Sequence, residues 1–199
     1  IHPFAMHNKN LVELLVHQSC MGTRDIERLA NAFGQRDNPT SIKSIGMVGV
    51  EKDESVGAIV QLCNWCPELR KLDLDFSTIG DQGCFALAPL LQNQNQKLRY
   101  LSIHNGKIGN EGALILANAL ANNKSLRCMG LCCCEGINER GWNGFLRLLC
   151  NTTSIDATNE SNHHLEQLWS HRSLGGAGRN LPRELLYLLH ANLDRSKTA

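Results

Sequence analysis

The chain of 199 residues balances 20 lysines and arginines against 19 aspartates and glutamates, so it has no long-range field with which to gather nucleic acid. Aromatic side chains make up 5% of it, too few for a base-stacking surface, and no apolar run approaches the roughly 18 residues of a membrane span. Nine cysteines, odd in number and without the spacing of a stapled scaffold, are expected to be mostly free thiols in an intracellular compartment, the cytoplasm first.

Along the chain a frame of Leu-x-x-aliphatic-x-aliphatic recurs. It starts at Leu11 (Leu14, Val16), Ile42 (Ile45, Met47), Leu69 (Leu72, Leu74), Leu98 (Leu101, Ile103) and Leu126 (Met129, Leu131), and a degraded copy starts at Ile155. The intervals are 31, 27, 29, 28 and 29 residues, a register that scattered apolar clusters do not hold. Apolar residues at positions 4 and 6, with variable residues at 3, 5 and 7, alternate as a short strand does.

Each frame leads into a second kind of block: "MGTRDIERLANAF", "IGDQGCFALAPLL", "IGNEGALILANAL" and "INERGWNGFLRLL". Helical spacing predicts that Ile115, Ala119 and Leu120, and likewise Leu146 and Leu149, face inward behind an Asp, Asn or Glu and a Gly at the helix start. Pro89 is expected to kink its helix or distort its first turns. Strand and helix thus alternate in a parallel βα array whose units bury their apolar faces only by stacking. The expected fold class is α/β: a right-handed horseshoe solenoid, with the parallel sheet concave and the helices convex.

Residues 1–10 read as the tail of a preceding repeat, which implies further repeats upstream in the parent. Residues 11–168 form five to six repeats. Residues 169–199 form a C-terminal cap with an amphipathic helix over about 181–193, Pro182 lying in its first turn.

These frames resemble the ribonuclease-inhibitor-like class of leucine-rich repeats over about residues 8–168. The stretches "SIDATNESNHHLEQLW" and "LPRELLYLLHANLDRSK" are similar to the closing segment of microalgal proteins of that class. The resemblance implies a curved interaction scaffold without catalytic residues. It also implies an inward Asn or Cys at position 9, which Cys134 supplies and Ser77, Gly106 and His163 do not.

Strand stacking would place positions 3, 5 and 7 in columns on the concave face. The most varied part holds Lys71, Asp73, Asp75, Tyr100, Ser102 and His104, with Phe76 and Asn105 just beyond, and these are the expected contacts for a protein partner. At position 2, Lys43, Arg70, Arg99 and Arg127 would stand side by side. Their mutual repulsion suggests an acidic partner, and Arg70, Arg99 and Arg127 join the expected binding set.

Asp75, His104 and Cys132 share a column in the order acid, base, nucleophile. That sets a thiol or metal-dependent enzyme as an alternative, disfavoured because the face is open to water and offers no oxyanion donors. A second alternative is the regulatory domain of a GTPase-activating or receptor-type protein, although these residues contain no P-loop. Cys132-Cys133-Cys134 straddles a strand end, so its thiols diverge, and Cys63-Asn64-Trp65-Cys66 has no second pair to complete a zinc site. The expected role is therefore a non-enzymatic scaffold, possibly a subunit of a larger assembly, with no metal, cofactor or nucleic acid.

Overall fold

The computed structural model describes residues 11–17, 22–35, 40–50, 52–75, 77–104, 106–134, 136–170 and 181–198, with side chains as far as Asp194. Six strands, β1 (Glu13–His17), β2 (Ser44–Val48), β3 (Lys71–Asp75), β4 (Tyr100–His104), β5 (Cys128–Cys132) and β6 (Gln167–Trp169), form one sheet in sequence order. Every neighbouring pair is parallel. Helices α1 (Thr23–Gly34), α2 (Glu54–Asn64), α3 (Asp81–Gln92), α4 (Asn110–Ala119) and α5 (Glu139–Leu149) each follow one strand. Each packs on the next. Helices are wider than the roughly 4.8 Å strand spacing, so the sheet takes the inner side of the stack.

Alternation decides the faces. Leu72, Leu74, Leu101, Ile103, Met129 and Leu131 are fully buried against the helices. From the helices, Ile59, Leu87, Leu116 and Phe145 meet them in one continuous core. Ala119 and Leu120 are buried, while Ile115 and Leu146 are only half-buried; Leu116 and Leu148 hold the deeper places. Helix α3 runs through Pro89 to Gln92. Among the described residues no helix is long and apolar enough to cross a membrane.

Polar ladders lock unit to unit. The Asp53 carboxylate accepts from the Gly80 N–H at 2.8 Å, and that of Asp81 accepts from Gly109 and Gly112 at 2.8 and 2.9 Å. The Asn110 carbonyl oxygen accepts from Asn138 and Gly141, both at 3.0 Å. This explains the glycine in each helix start, because a Cβ on Gly112 would lie 2.5 Å from Asp81 Oδ1. At position 9, the buried Ser77 hydroxyl donates to the Leu74 or the His104 carbonyl at 3.3 or 3.4 Å. Ser77 thus does the inward work expected of an Asn or Cys. Cys134 is buried too, and a Cβ on Gly106 would lie 3.3 Å from its Sγ.

One strand frame is corrected. Ile155 does not open a sixth unit; it begins a short helix, α6 (Ile155–Asn159), in which nothing is buried, and Ile155 itself is 82% exposed. The sixth frame begins at Leu165, which with Leu168 is buried, and α6 is an insertion ahead of it. Ala157, Asn159 and Ser161 therefore leave the sheet columns, Gln167 and Trp169 enter them, and His163 no longer occupies position 9. Helix α7 (Arg183–Thr198) then packs on α5 and β6, burying Leu185 and Leu189.

Candidate partner-binding face

Strand register sets the geometry of the open face. Lys71 lies beside Tyr100, Asp73 beside Ser102, Tyr100 beside Cys128, and Gly130 between Ser102 and Trp169. Lys71 Nζ sits 5.2 Å from the centre of the Tyr100 ring and 3.7 Å from Asp73 Oδ2. The rings of Tyr100 and Trp169 approach to 5.8 Å with a 47° tilt, although they stand on strands separated by β5. They meet because β5 carries glycine between them: a Cβ on Gly130 would lie 2.9 Å from Ser102 Oγ and 3.6 Å from Trp169 Cε3.

Cation, tyrosine and tryptophan thus form a row across four strands, with the Asp73 carboxylate at one end. Such contacts desolvate the groups beneath them. Burial, first, raises the Tyr100 phenol above its ordinary pKa; Asp73 and the Cys132 and Cys128 thiols add to this, and the Ser102 hydroxyl opposes it. Burial likewise raises the Cys128 thiol, helped by Glu166 and opposed by Arg127. Cys128 donates to Gln167 Oε1 at 3.6 Å.

The expected contacts divide. Lys71 is exposed, and Asp73, Asp75, Tyr100 and His104 are half-buried on the face. Ser102 is fully buried, closed over by its neighbours, so it supports the face instead of touching a partner. Phe76 and Asn105 lie outside the described residues. Trp169 was missed by sequence reasoning, because the frame at Ile155 displaced it from the columns; the shared Asn-x-x-Leu of residues 123–126 and 162–165 is the signal that finds it.

The column of acid, base and thiol is built differently from a nucleophilic site. His104 does stand opposite Cys132, but Cys132 is 4% exposed, so its sulfur is not presented to a substrate. Cys134 is buried and its thiol is pushed up to about 12 by that burial first, with the Gly106 and Ile108 N–H groups opposing. Burial similarly raises Cys63, helped by Cys66. A thiol so raised is neither a ready nucleophile nor a ready metal ligand. Among the described residues no group of three His, Cys, Asp or Glu side chains is arranged to hold a metal ion. Cys133 alone of the triplet is exposed, held at a positive φ of 58° in the turn that ends β5.

The position-2 column is also modified by the corrected register. Arg127 meets Glu166, which fills position 2 of the sixth unit, at 3.0 Å. Lys43, Arg70 and Arg99 remain exposed, with no carboxylate among the described residues in ion-pair contact.

An in-register parallel sheet backed by helices, with aliphatic positions repeating at the same frame in every unit, defines a βα leucine-rich-repeat solenoid. A Leucine Rich repeat family model matches residues 66–88 and 94–117, which carry β3, α3's first two turns, β4 and most of α4. Among solved structures the chain is similar to leiomodin-1 actin-binding site 2 (ABS2), at 19% identity, over 96% of this chain and 86% of that one, with a TM-score of 0.54. At that identity the likeness concerns the fold alone. No curated protein matches the chain.

Proposed function

We propose that the chain is a non-enzymatic scaffold that holds a partner protein on the open face of its sheet, centred on Tyr100 and Trp169 with Lys71, Asp73, Asp75 and His104 around them. The observation that carries this reading is the Tyr100–Trp169 pair beside Lys71. Two large aromatic rings on the solvent side of a sheet contribute nothing to the core behind it. They are the residue types that anchor protein interfaces, and charged neighbours give such an anchor its orientation. A rigid repeat array presents them preformed, so little is lost in ordering them on binding.

The neighbour in the fold comparison is named for binding actin, which supports a protein-binding role in general and names no partner for this chain. Unit length places it nearest the ribonuclease-inhibitor-like class. Free thiols at Cys63, Cys84, Cys128, Cys133, Cys134 and Cys150 fit a reducing intracellular compartment.

The test is affinity capture from a cell extract with the whole chain and with Y100A/W169A. Circular dichroism checks that both fold, and retained proteins are identified by mass spectrometry. A protein held by the parent and lost by the variant supports the reading. Retention of the same proteins by both would sink it.

A further inference from the structure

The second position of the frame carries a basic strip whose geometry the backbone fixes. Arg70 N donates to Lys43 O at 2.8 Å, Arg99 N to Arg70 O at 2.8 Å, Arg127 N to Arg99 O at 2.9 Å, and Glu166 N to Arg127 O at 2.8 Å. These residues therefore stand one strand apart, about 4.8 Å from neighbour to neighbour.

Lys43, Arg70 and Arg99 are exposed and adjacent, and like charges at that spacing repel. The fold does not require them: Glu166 fills the same position one unit beyond Arg127 and neutralises it at 3.0 Å. The acid within reach of Arg70 and Lys43 is Glu68, and it is already ion-paired with Lys97. Three neighbouring cations thus remain uncompensated on a chain whose formal charge is only +1.

We propose that Lys43, Arg70 and Arg99 form a docking strip for an acidic helix of a partner protein, one that carries carboxylates at positions i, i+4 and i+7. The dimensions select a helix. The strip spans two strand intervals, about 10 Å, and residues i to i+7 of a helix rise about 10.5 Å. Alternate side chains of an extended segment lie about 6.6 to 6.8 Å apart, so three of them overshoot the strip at about 13 Å. Guanidinium groups favour this ligand because they grip carboxylates in a planar, two-pronged fashion. A nucleic acid is the poorer match, since the surrounding chain lacks both the net charge and the aromatic density that such binding draws on.

This strip is separate from the Tyr100–Trp169 cluster, so the two proposals fail independently. The experiment measures fluorescence anisotropy of a labelled synthetic helical peptide bearing Glu at i, i+4 and i+7, and of its Gln counterpart, with the whole chain at low and at physiological salt. Binding of the Glu peptide at low salt, weakening as salt rises, with none of the Gln peptide, is expected. K43E/R70E/R99E should lower the affinity about ten- to a hundredfold, the sum of three exposed ion pairs, while Y100A/W169A leaves it unchanged. If the charge-reversed variant misfolds by circular dichroism, R70Q/R99Q serves and should lose about three- to thirtyfold. The proposal is overturned by absence of binding, by equal binding of the Gln peptide, by a folded charge variant that binds as the parent does, or by a single-stranded oligonucleotide that binds more tightly than the peptide.

Discussion

The Asn192 side-chain amide donates to the carbonyl oxygens of Asn162 and Leu165, at 3.1 and 2.8 Å, as the Asn162 amide donates to those of Leu120 and Asn123 one unit earlier, at 2.7 and 3.0 Å. The Asn123 amide reaches Leu91 O at 2.6 Å. A residue of the C-terminal helix thus continues a ladder that the repeats began, and it satisfies carbonyls that a further unit would otherwise meet. Asn192 is 4% exposed. Removing its amide strands buried acceptors, so Asn192→Leu should destabilise the chain by about 1–3 kcal/mol. Urea unfolding measures this, and an unchanged midpoint would show that α7 is held by its leucines alone.

The glycine at each helix start makes a sharper test because two glycines give opposite signs. A Cβ on Gly112 would stand 2.5 Å from Asp81 Oδ1, 2.9 Å from Ile108 Cγ2 and 3.0 Å from Cys84 Sγ. Gly112→Ala should therefore lower stability by about 1–3 kcal/mol, as overpacking does. Gly57 lies inside α2 with nothing within 4 Å of an added Cβ. Gly57→Ala should raise stability by about 0.5–1 kcal/mol through the lost freedom of the unfolded chain. Thermal melts of the two variants decide the matter, and the same sign for both would contradict the packing described.

How much was legible follows from these contacts. The strands at Ile42, Leu69, Leu98 and Leu126 were readable because two aliphatic positions per strand, repeated at near-constant intervals, leave one register that buries them all. The sixth was misplaced because Ile155 falls 29 residues after Leu126, close to the average interval, whereas the true frame starts 39 residues on, at Leu165. Apolar spacing alone could not choose between them, but the ladder asparagine could: Asn123 precedes Leu126 as Asn162 precedes Leu165. The face of Ser102 was readable from alternation and its burial was not. Depth on an open face depends on how far neighbouring rings lean, and here Gly130 lets Tyr100 and Trp169 close together.

Thiol chemistry should separate the three adjacent cysteines. Cys133 is exposed, while Cys132 and Cys134 are buried, and Cys134 is held at a raised pKa by that burial. In a chain with Cys20, which lies outside the described residues, replaced by Ser, a chromogenic disulfide reagent should show a fast phase that C133S removes. Cys63, Cys84 and Cys134 should react only on denaturation. A fast phase that survives C133S and disappears with C132S would restore a reactive thiol beside His104.

Stability should also depend on the protonation of His164. Partial burial, first, lowers its pKa from the ordinary histidine value; Arg127, Lys124 and His163 lower it further, and Glu166 opposes them. The unfolded chain then binds this proton more readily than the folded one. As pH falls through about 6.5 toward the lowered folded value, the unfolded state gains a proton that the folded state refuses, and stability declines. Below the folded value both states are protonated and the decline stops. The parent should therefore lose more stability between about pH 7.5 and 5.5 than H164Q does, because the carboxylates and remaining histidines titrate alike in both and cancel in the comparison. Urea midpoints at the two pH values give the difference. Equal losses would mean that Arg127 spends its charge on Glu166, its ion-pair partner at 3.0 Å, and leaves His164 as it is in the unfolded chain.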